Sequence, residues 1–226
     1  MIFSQQGSRQ VFDNARRLVD AAGLSTQQTV LSQSYIRSEV SLSTTTTTYH
    51  VPILINDNQN GSTSSFPTSA LLNLQDAFVI SGLFVGFANT ADNTTSAFRI
   101  RTFPSVINTG STSAATAMET LYNGSLQLTV NNRQILTQFP LSNCLYIPQT
   151  QQLAAITTSP YPSLDQNEQF AGATYPMEPN IVLVGSKNNV CQIVLPAAIG
   201  TLPTAGAPRL VVIFSGILAQ NCTPVR

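Results

Sequence analysis

Leu126-Gln127-Leu128-Thr129-Val130-Asn131-Asn132-Arg133-Gln134-Ile135-Leu136-Thr137-Gln138-Phe139 carries the plainest local signal in the chain. Leu126, Leu128 and Val130 alternate with polar residues, Asn131-Asn132 interrupts, and Ile135, Thr137 and Phe139 begin a second alternation. A two-residue turn needs positive φ at its central positions, which Asn tolerates better than most residues, so the stretch predicts a β-hairpin. Counting outward from the turn sets Val130 opposite Arg133, Leu128 opposite Ile135 and Leu126 opposite Thr137. One face of that hairpin is then largely apolar and needs an opposing layer. The other presents Gln127, Thr129, Gln134 and Gln138, uncharged groups that make a candidate subunit contact.

Working outward, the apolar run Ala77–Ala88 contains Phe78, Val79, Ile80, Leu83, Phe84, Val85 and Phe87. Gly82, Gly86 and the β-branched and aromatic content favour a central strand covered on both faces over a helix. Arg209–Ala219 reads as a second buried strand, and these two runs are the best candidates to flank or cover the hairpin. Ile36–Leu42 and Tyr49–Ile55 predict one or two further strands, with Pro52 marking an edge or a bulge. Ala97–Phe103 alternates Phe98, Ile100 and Thr102 with arginines, and Leu145–Ile147 is a brief strand candidate. Ile181–Val184 and Val190–Leu195 suggest a second hairpin around Gly185–Asn189. Thr150–Pro179, with Pro160, Pro162, Pro176 and Pro179, reads as a long polar connection, and Gly200–Pro208 as a turn.

Helical spacing is convincing at one place. Val11, Phe12, Ala15, Leu18, Val19 and Ala22 form a stripe over residues 8–22, with Ser8 as N-cap and Gly23 as the residue after the helix. The stripe has to be buried on the chain's own β domain, on a neighbouring subunit or on a membrane surface. Residues 24–34 are polar and read as a linker, which divides the chain into a helix and linker over 1–34 and a β-sandwich over 35–226. A short helix is expected within Ser113–Tyr122.

Charge is scarce. Only 9% of the 226 residues are Asp, Glu, Lys or Arg, against about 25% in an average domain. Ser, Thr, Asn and Gln supply 84 residues, so the polar surface is built largely from uncharged groups. Such a surface costs less to desolvate than a charged one, which suits a protein packed against copies of itself; a low-charge secreted or surface module is the alternative reading. Net charge is zero and the arginines are scattered, so no basic stripe exists to neutralise a phosphate backbone and direct nucleic-acid binding is not expected. Met1–Gln6 lacks the basic start and apolar run of a signal peptide, and the expectation is a soluble product made in the cytoplasm.

The search for chemistry returns little. His50 is the only histidine and lies in a strand pattern; no Gly-x-Ser-x-Gly elbow, phosphate loop, dinucleotide fingerprint or Cys-x-x-Cys occurs. Asp165 and Glu168 are too few for a calcium site. Cys144, Cys191 and Cys222 lack metal-ligand spacing and read as small core residues. The sequence therefore points away from an enzyme, with no catalytic residue, cofactor or metal assigned.

About eight or nine strands with one helix in front fit an all-β jelly-roll or Greek-key sandwich. A leading amphipathic helix, a linker and a strand-rich domain poor in charge resemble, over nearly the whole chain, the jelly-roll capsid proteins of icosahedral bacteriophages, including tailless, membrane-containing ones. The resemblance implies a virion protein that self-assembles into a shell as a homo-oligomer, a trimer or pentamer, beside other virion proteins. It also implies a helix packing on neighbours or on an internal membrane. Major capsid proteins of tailless phages usually carry two rolls per chain; the strand count here supplies one, unless short strands of a compact double roll have been merged. The competing reading is a carbohydrate- or receptor-binding module of a spike or adhesin, using Tyr161 and Tyr175 as an aromatic platform.

Overall fold

The computed structural model describes residues 5–25, 29–51, 53, 72, 74–89, 100–104, 109, 111–146, 174–203 and 208–224. In chain order these contain α1 (Gln5–Ala21), β1 (Leu24–Ser25), β2 (Val30–Ser41), β3 (Thr48–Val51), β4 (Ala77–Asn89), β5 (Ile100–Arg101), α2 (Thr112–Tyr122), β6 (Ser125–Val130), β7 (Arg133–Pro140), β8 (Tyr175–Val184), β9 (Asn189–Val194), β10 (Pro208–Gln220) and β11 (Thr223–Pro224). The protein is mainly β, with two principal antiparallel sheets.

β6 and β7 form the hairpin predicted over Leu126–Phe139, and Asn131 and Asn132 take φ values of 52° and 60°, the left-handed pair a two-residue turn demands. Three more antiparallel pairs nest around it: β4 with β8, β3 with β9, and β2 with β10. Successive pairs go to alternate sheets. One sheet has the order β2-β10-β4, with β8 and the short β5 sharing the far edge of β4; the other has the order β3-β9-β6-β7. A two-residue pairing of β1 with β11 ties the segment after α1 to the segment after β10.

The hairpin register differs from simple counting. Thr129 faces Gln134 as expected, but Leu128 faces Leu136 and Leu126 faces Phe139, because two irregularities insert extra residues into β7. Leu136 and Phe139 therefore turn toward the core, and Ile135 is left 47% exposed. β4 shows the same device: Ser81 is an extra residue in its pairing with β10, whereas at the same point of the pairing with β8 the extra residues lie in β8, within Met177–Asn180. The Ser81 insertion flips the side-chain parity, so Phe78 and Ile80 before it and Leu83, Val85 and Phe87 after it all reach the same core. Ala77, Val79, Phe84 and Ala88 consequently point to the outer face. At this point Gly216 approaches so closely that a Cβ there would lie 1.9 Å from the Val79 carbonyl oxygen.

Several expectations are corrected. Ile181–Val184 and Val190–Leu195 do not pair with each other: β8 joins β4 in one sheet and β9 joins β3 and β6 in the other. The connection is a corner between layers. The Asn189 side-chain amide holds it by donating to the Val184 and Lys187 carbonyls at 2.9 and 3.1 Å, and the Gly185 amide donates to Asp76 at 2.8 Å. β8 begins at Tyr175, so Pro176 and Pro179 belong to a strand: Pro176 stands opposite Gly82, and Pro179 falls in the break in the pairing with β4. β2 begins at Val30, inside the stretch read as linker, and Leu24 and Ser25 are paired with β11. α1 starts at Gln5, so Ser8 lies within it and is not its cap. Leu141–Cys144 is a 3₁₀ turn, and Leu145 and Tyr146 form no strand. Within Ala97–Phe103, strand is described only at Ile100 and Arg101. Pro52, Asp165, Glu168, Pro160, Tyr161 and Pro162 lie outside the described residues.

The interior between the sheets is filled from every nested pair: Ile36, Leu210, Val212 and Phe214 from the outermost, Leu126 and Leu128 from the innermost. α2 adds Met118, Leu121 and Tyr122; its N-cap Ser111 accepts a bond from the Ala114 amide at 3.1 Å.

Candidate functional site

With no catalytic constellation in the sequence, the surfaces to consider are the outer faces and edges of the two sheets. The first sheet's outer face carries two separate apolar clusters, with Arg37 and Glu39 of β2 beside the second. α1 covers one end of it. Ala15 and Val19 are buried against Ala77, Val79, Val184, Ile217, Ala219 and Cys222, with Phe12 and Leu18 packed at the rim. Gly23, at φ 84°, ends the helix as its sequence position suggests, its amide donating to the Asp20 carbonyl. Of the six residues in the predicted helix face, Val11 is 48% exposed and Ala22 is exposed; the other four face the chain's own sheet. Of the three burial partners open to this stripe, the chain's own sheet takes these four residues.

The other end of that face holds a second apolar cluster. Phe84, Ala88, Ile100 and Val211 form a buried cluster with Ile213 at its margin. Beside it lies a hollow of about 310 Å³ lined by Tyr35, Arg37, Phe84, Ile100, Thr174, Ile213 and Ser215. Its rim carries the densest group of described charges. Glu39 accepts from Arg37 on the same strand and from Arg209 of β10 at 3.4 Å, and the three side chains are each 16% exposed or less. These residues stand in the sequence as scattered charges; the pairing of β2 with β10, which sets Arg209 opposite Ser41 and Val211 opposite Glu39, brings them together.

The second sheet's outer face is polar and almost uncharged. Gln127 lies opposite Gln192, whose side chain meets His50 Nδ1 at 3.2 Å. Thr129 lies opposite Gln134 across the hairpin, and Gln134 and Gln138 are exposed. The four hairpin residues proposed as a contact thus come from two adjacent strands, with Gln127 and Thr129 half-buried. Tyr175 packs edge-on against Phe139, with ring centroids 5.0 Å apart.

Chemical groups elsewhere are quiet. Cys144 and Cys191 are buried, and desolvation pushes both thiols from an ordinary value of 9.0 up to about 12. Desolvation raises Cys222 as well. All three are protonated at neutral pH and serve as small core groups. Among the described residues, no three His, Cys, Asp or Glu side chains converge as a metal site, and no helix is long and apolar enough to cross a membrane. Compared with known proteins, the chain matches no family model, no curated protein and no solved structure.

Proposed function

We propose that this protein is a structural subunit of a virion, a single jelly roll that self-assembles into an icosahedral shell. The observation that carries the reading is the nested strand order. Four antiparallel pairs distributed alternately over sheets of order β2-β10-β4-β8 and β3-β9-β6-β7 are what results when one long hairpin is rolled around a core. That order supports a jelly-roll reading, an architecture used by viral capsid domains. Among the described residues there is one such nest, which favours one roll per chain over a compact double roll.

The surface supports the same reading. A shell subunit buries much of its exterior against neighbours, and uncharged groups such as Gln127, Gln192, Thr129 and Gln134 lose less on leaving water than charges would. The test is assembly of the purified full chain, followed by sedimentation and negative-stain electron microscopy across a range of concentration and salt. Closed particles, or symmetric oligomers that survive dilution, are expected. A chain that stays monomeric throughout and binds immobilised glycans would replace the shell reading by that of a recognition module.

A further inference from the structure

We infer that the outer face of the second sheet is a pH-gated subunit contact with His50 as its gate: copies join through this face while the imidazole is neutral and part when it takes up a proton. The inference rests on the self-assembly reading for its partner, a second copy of this chain; the gate itself is argued from the side chains around His50.

β3, β9 and β6 each set one residue into a row across the sheet. His50 stands opposite Gln192, and Gln192 opposite Gln127. The residues on either side of each, Tyr49 and Val51, Cys191 and Ile193, Leu126 and Leu128, are buried in the core. The row therefore lies on the outer face, with His50 exposed and the two glutamines half-buried. The Gln192 amide nitrogen meets His50 Nδ1 at 3.2 Å. That contact fits a neutral ring, in which Nδ1 accepts from the amide and Nε2 carries the hydrogen.

Protonation changes the row in two ways. Both ring nitrogens become donors, so the Gln192 amide has to turn and offer its oxygen, presenting N–H groups where it had presented a carbonyl. The face also gains a full charge, and covering an imidazolium with a neighbour costs far more than covering a neutral ring or an amide. The groups around His50 do not offset that charge. β3, β9 and β6 contain no Asp, Glu, Lys or Arg. Their titratable side chains beside the row, Tyr49 and Cys191, are turned into the core. β2, which lies next to β3, carries Arg37 and Glu39 paired with each other. Arg133, across the hairpin turn from Val130, and Lys187, in the corner before β9, are exposed cations that add to the charge. Histidine is the side chain whose charge ordinarily changes between pH 5 and 8, with carboxylates and phenols titrating on either side. His50 is the only histidine among the 226 residues, so association is complete above that window and lost as pH falls through it.

The experiment measures association of the full chain at pH 8 and at pH 5 by equilibrium sedimentation, for wild type, His50→Gln and His50→Lys, each first shown to be folded by its circular dichroism. Each protein is read by its own ratio between the two pH values, so a change in overall affinity does not enter. Wild type associates more tightly at pH 8, by up to about tenfold per pH unit for each histidine covered in the contact. His50→Gln has no ring to protonate and His50→Lys is charged at both values, so both lose the ratio. The glutamine variant then associates more tightly than wild type at pH 5, and the lysine variant less tightly than wild type at pH 8. A wild-type ratio of one or less, or a His50→Gln ratio equal to that of wild type, overturns the gate. Oligomers that form in that case leave the shell reading standing; a chain that associates at neither pH removes both.

Discussion

Replacing Val19 by Ala separates a helix that belongs to its own subunit from one held ready for a neighbour. Val19 is fully buried, in contact with the apolar cluster formed by Ala77, Val79, Ile217 and Ala219 on the outer face of the first sheet. The substitution removes two methylene equivalents, about 1.6 kcal/mol of transfer free energy at roughly 0.8 kcal/mol each. The cavity left between helix and sheet raises the cost to about 2–3 kcal/mol. α1 is joined to the remainder mainly by this cluster and by the short pairing of β1 with β11. The loss should therefore appear first as local detachment of the helix, before any global unfolding. Amide hydrogen exchange measured on the monomer reads this directly: α1 amides accelerate by about 30- to 150-fold, while amides of β4 and β10 keep their rates. Val11→Ala is the control; Val11 is 48% exposed, and its replacement moves exchange or stability by less than about 0.5 kcal/mol. Equal effects at the two positions, or no effect at Val19, would refute docking through Ala15 and Val19. Loss of particles with an unperturbed monomer would assign the stripe to a neighbouring subunit.

Three further outcomes follow from the packing. Gly216→Ala places a methyl 1.9 Å from the Val79 carbonyl in mid-sheet, where only backbone can yield; a loss of about 3 kcal/mol or more in urea denaturation is expected, and a change below about 0.5 kcal/mol would contradict the close approach. Glu39→Gln leaves Arg37 and Arg209 facing a neutral amide at the rim of the hollow, and destabilisation of about 2–4 kcal/mol is expected by the same assay, against near-neutral behaviour if the ion pairs are solvated. The buried thiols set an alkaline limit. Folding raises Cys144 and Cys191 from 9.0 to about 12, so the unfolded chain binds fewer protons than the folded one between those values. Their contribution is complete below about pH 9 and is lost as pH rises toward 12, with a slope of up to about 1.4 kcal/mol per pH unit for each thiol. Denaturation series of Cys191→Ala should show a shallower alkaline decline than wild type; an identical slope would exclude Cys191 as a cause.

What the sequence discloses depends on how local the deciding physics is. The Asn131-Asn132 turn is legible because its backbone needs residues that tolerate positive φ, and those two residues are the turn. Burial of Ala77–Ala88 is legible for a similar reason: a strand paired and covered on every side has no polar positions to spare. The faces of that strand are not legible. One extra residue, Ser81, reverses the parity, and nothing in an unbroken apolar run marks where the reversal falls. The two insertions in β7 likewise move Ile135 outward and Leu136 inward against the count from the turn. The beginning of β2 is missed because an edge strand needs little apolar content, and Ser32, Gln33 and Ser34 look like linker. Whether β8 and β9 pair with each other or turn a corner is decided by competition from β4, β3 and β6, which are distant in sequence. The group at Arg37, Glu39 and Arg209 is hidden in the same way, since Glu39 and Arg209 are separated by 170 positions.

The two sheets meet water on unequal terms, and that inequality bears on assembly. The first sheet carries two apolar clusters on its outer face and spends α1 covering one of them, while the other keeps Phe84, Ile100 and Ile213 beside a hollow. The second sheet presents glutamines and threonines that bond to water and to protein equally well. The apolar clusters of the first sheet are already buried within the chain and hold the subunit together; a face of the second kind favours contacts that can form, be tested and be released. A closed shell needs such contacts, since subunits that join irreversibly in a wrong orientation cannot close. On the proposed shell reading, the uncharged face of the second sheet is the surface that joins subunits. Charges introduced at Gln134 and Gln138, both exposed, should then stop assembly in sedimentation without changing the monomer's thermal melt, and particles that still form would assign the contact to another surface.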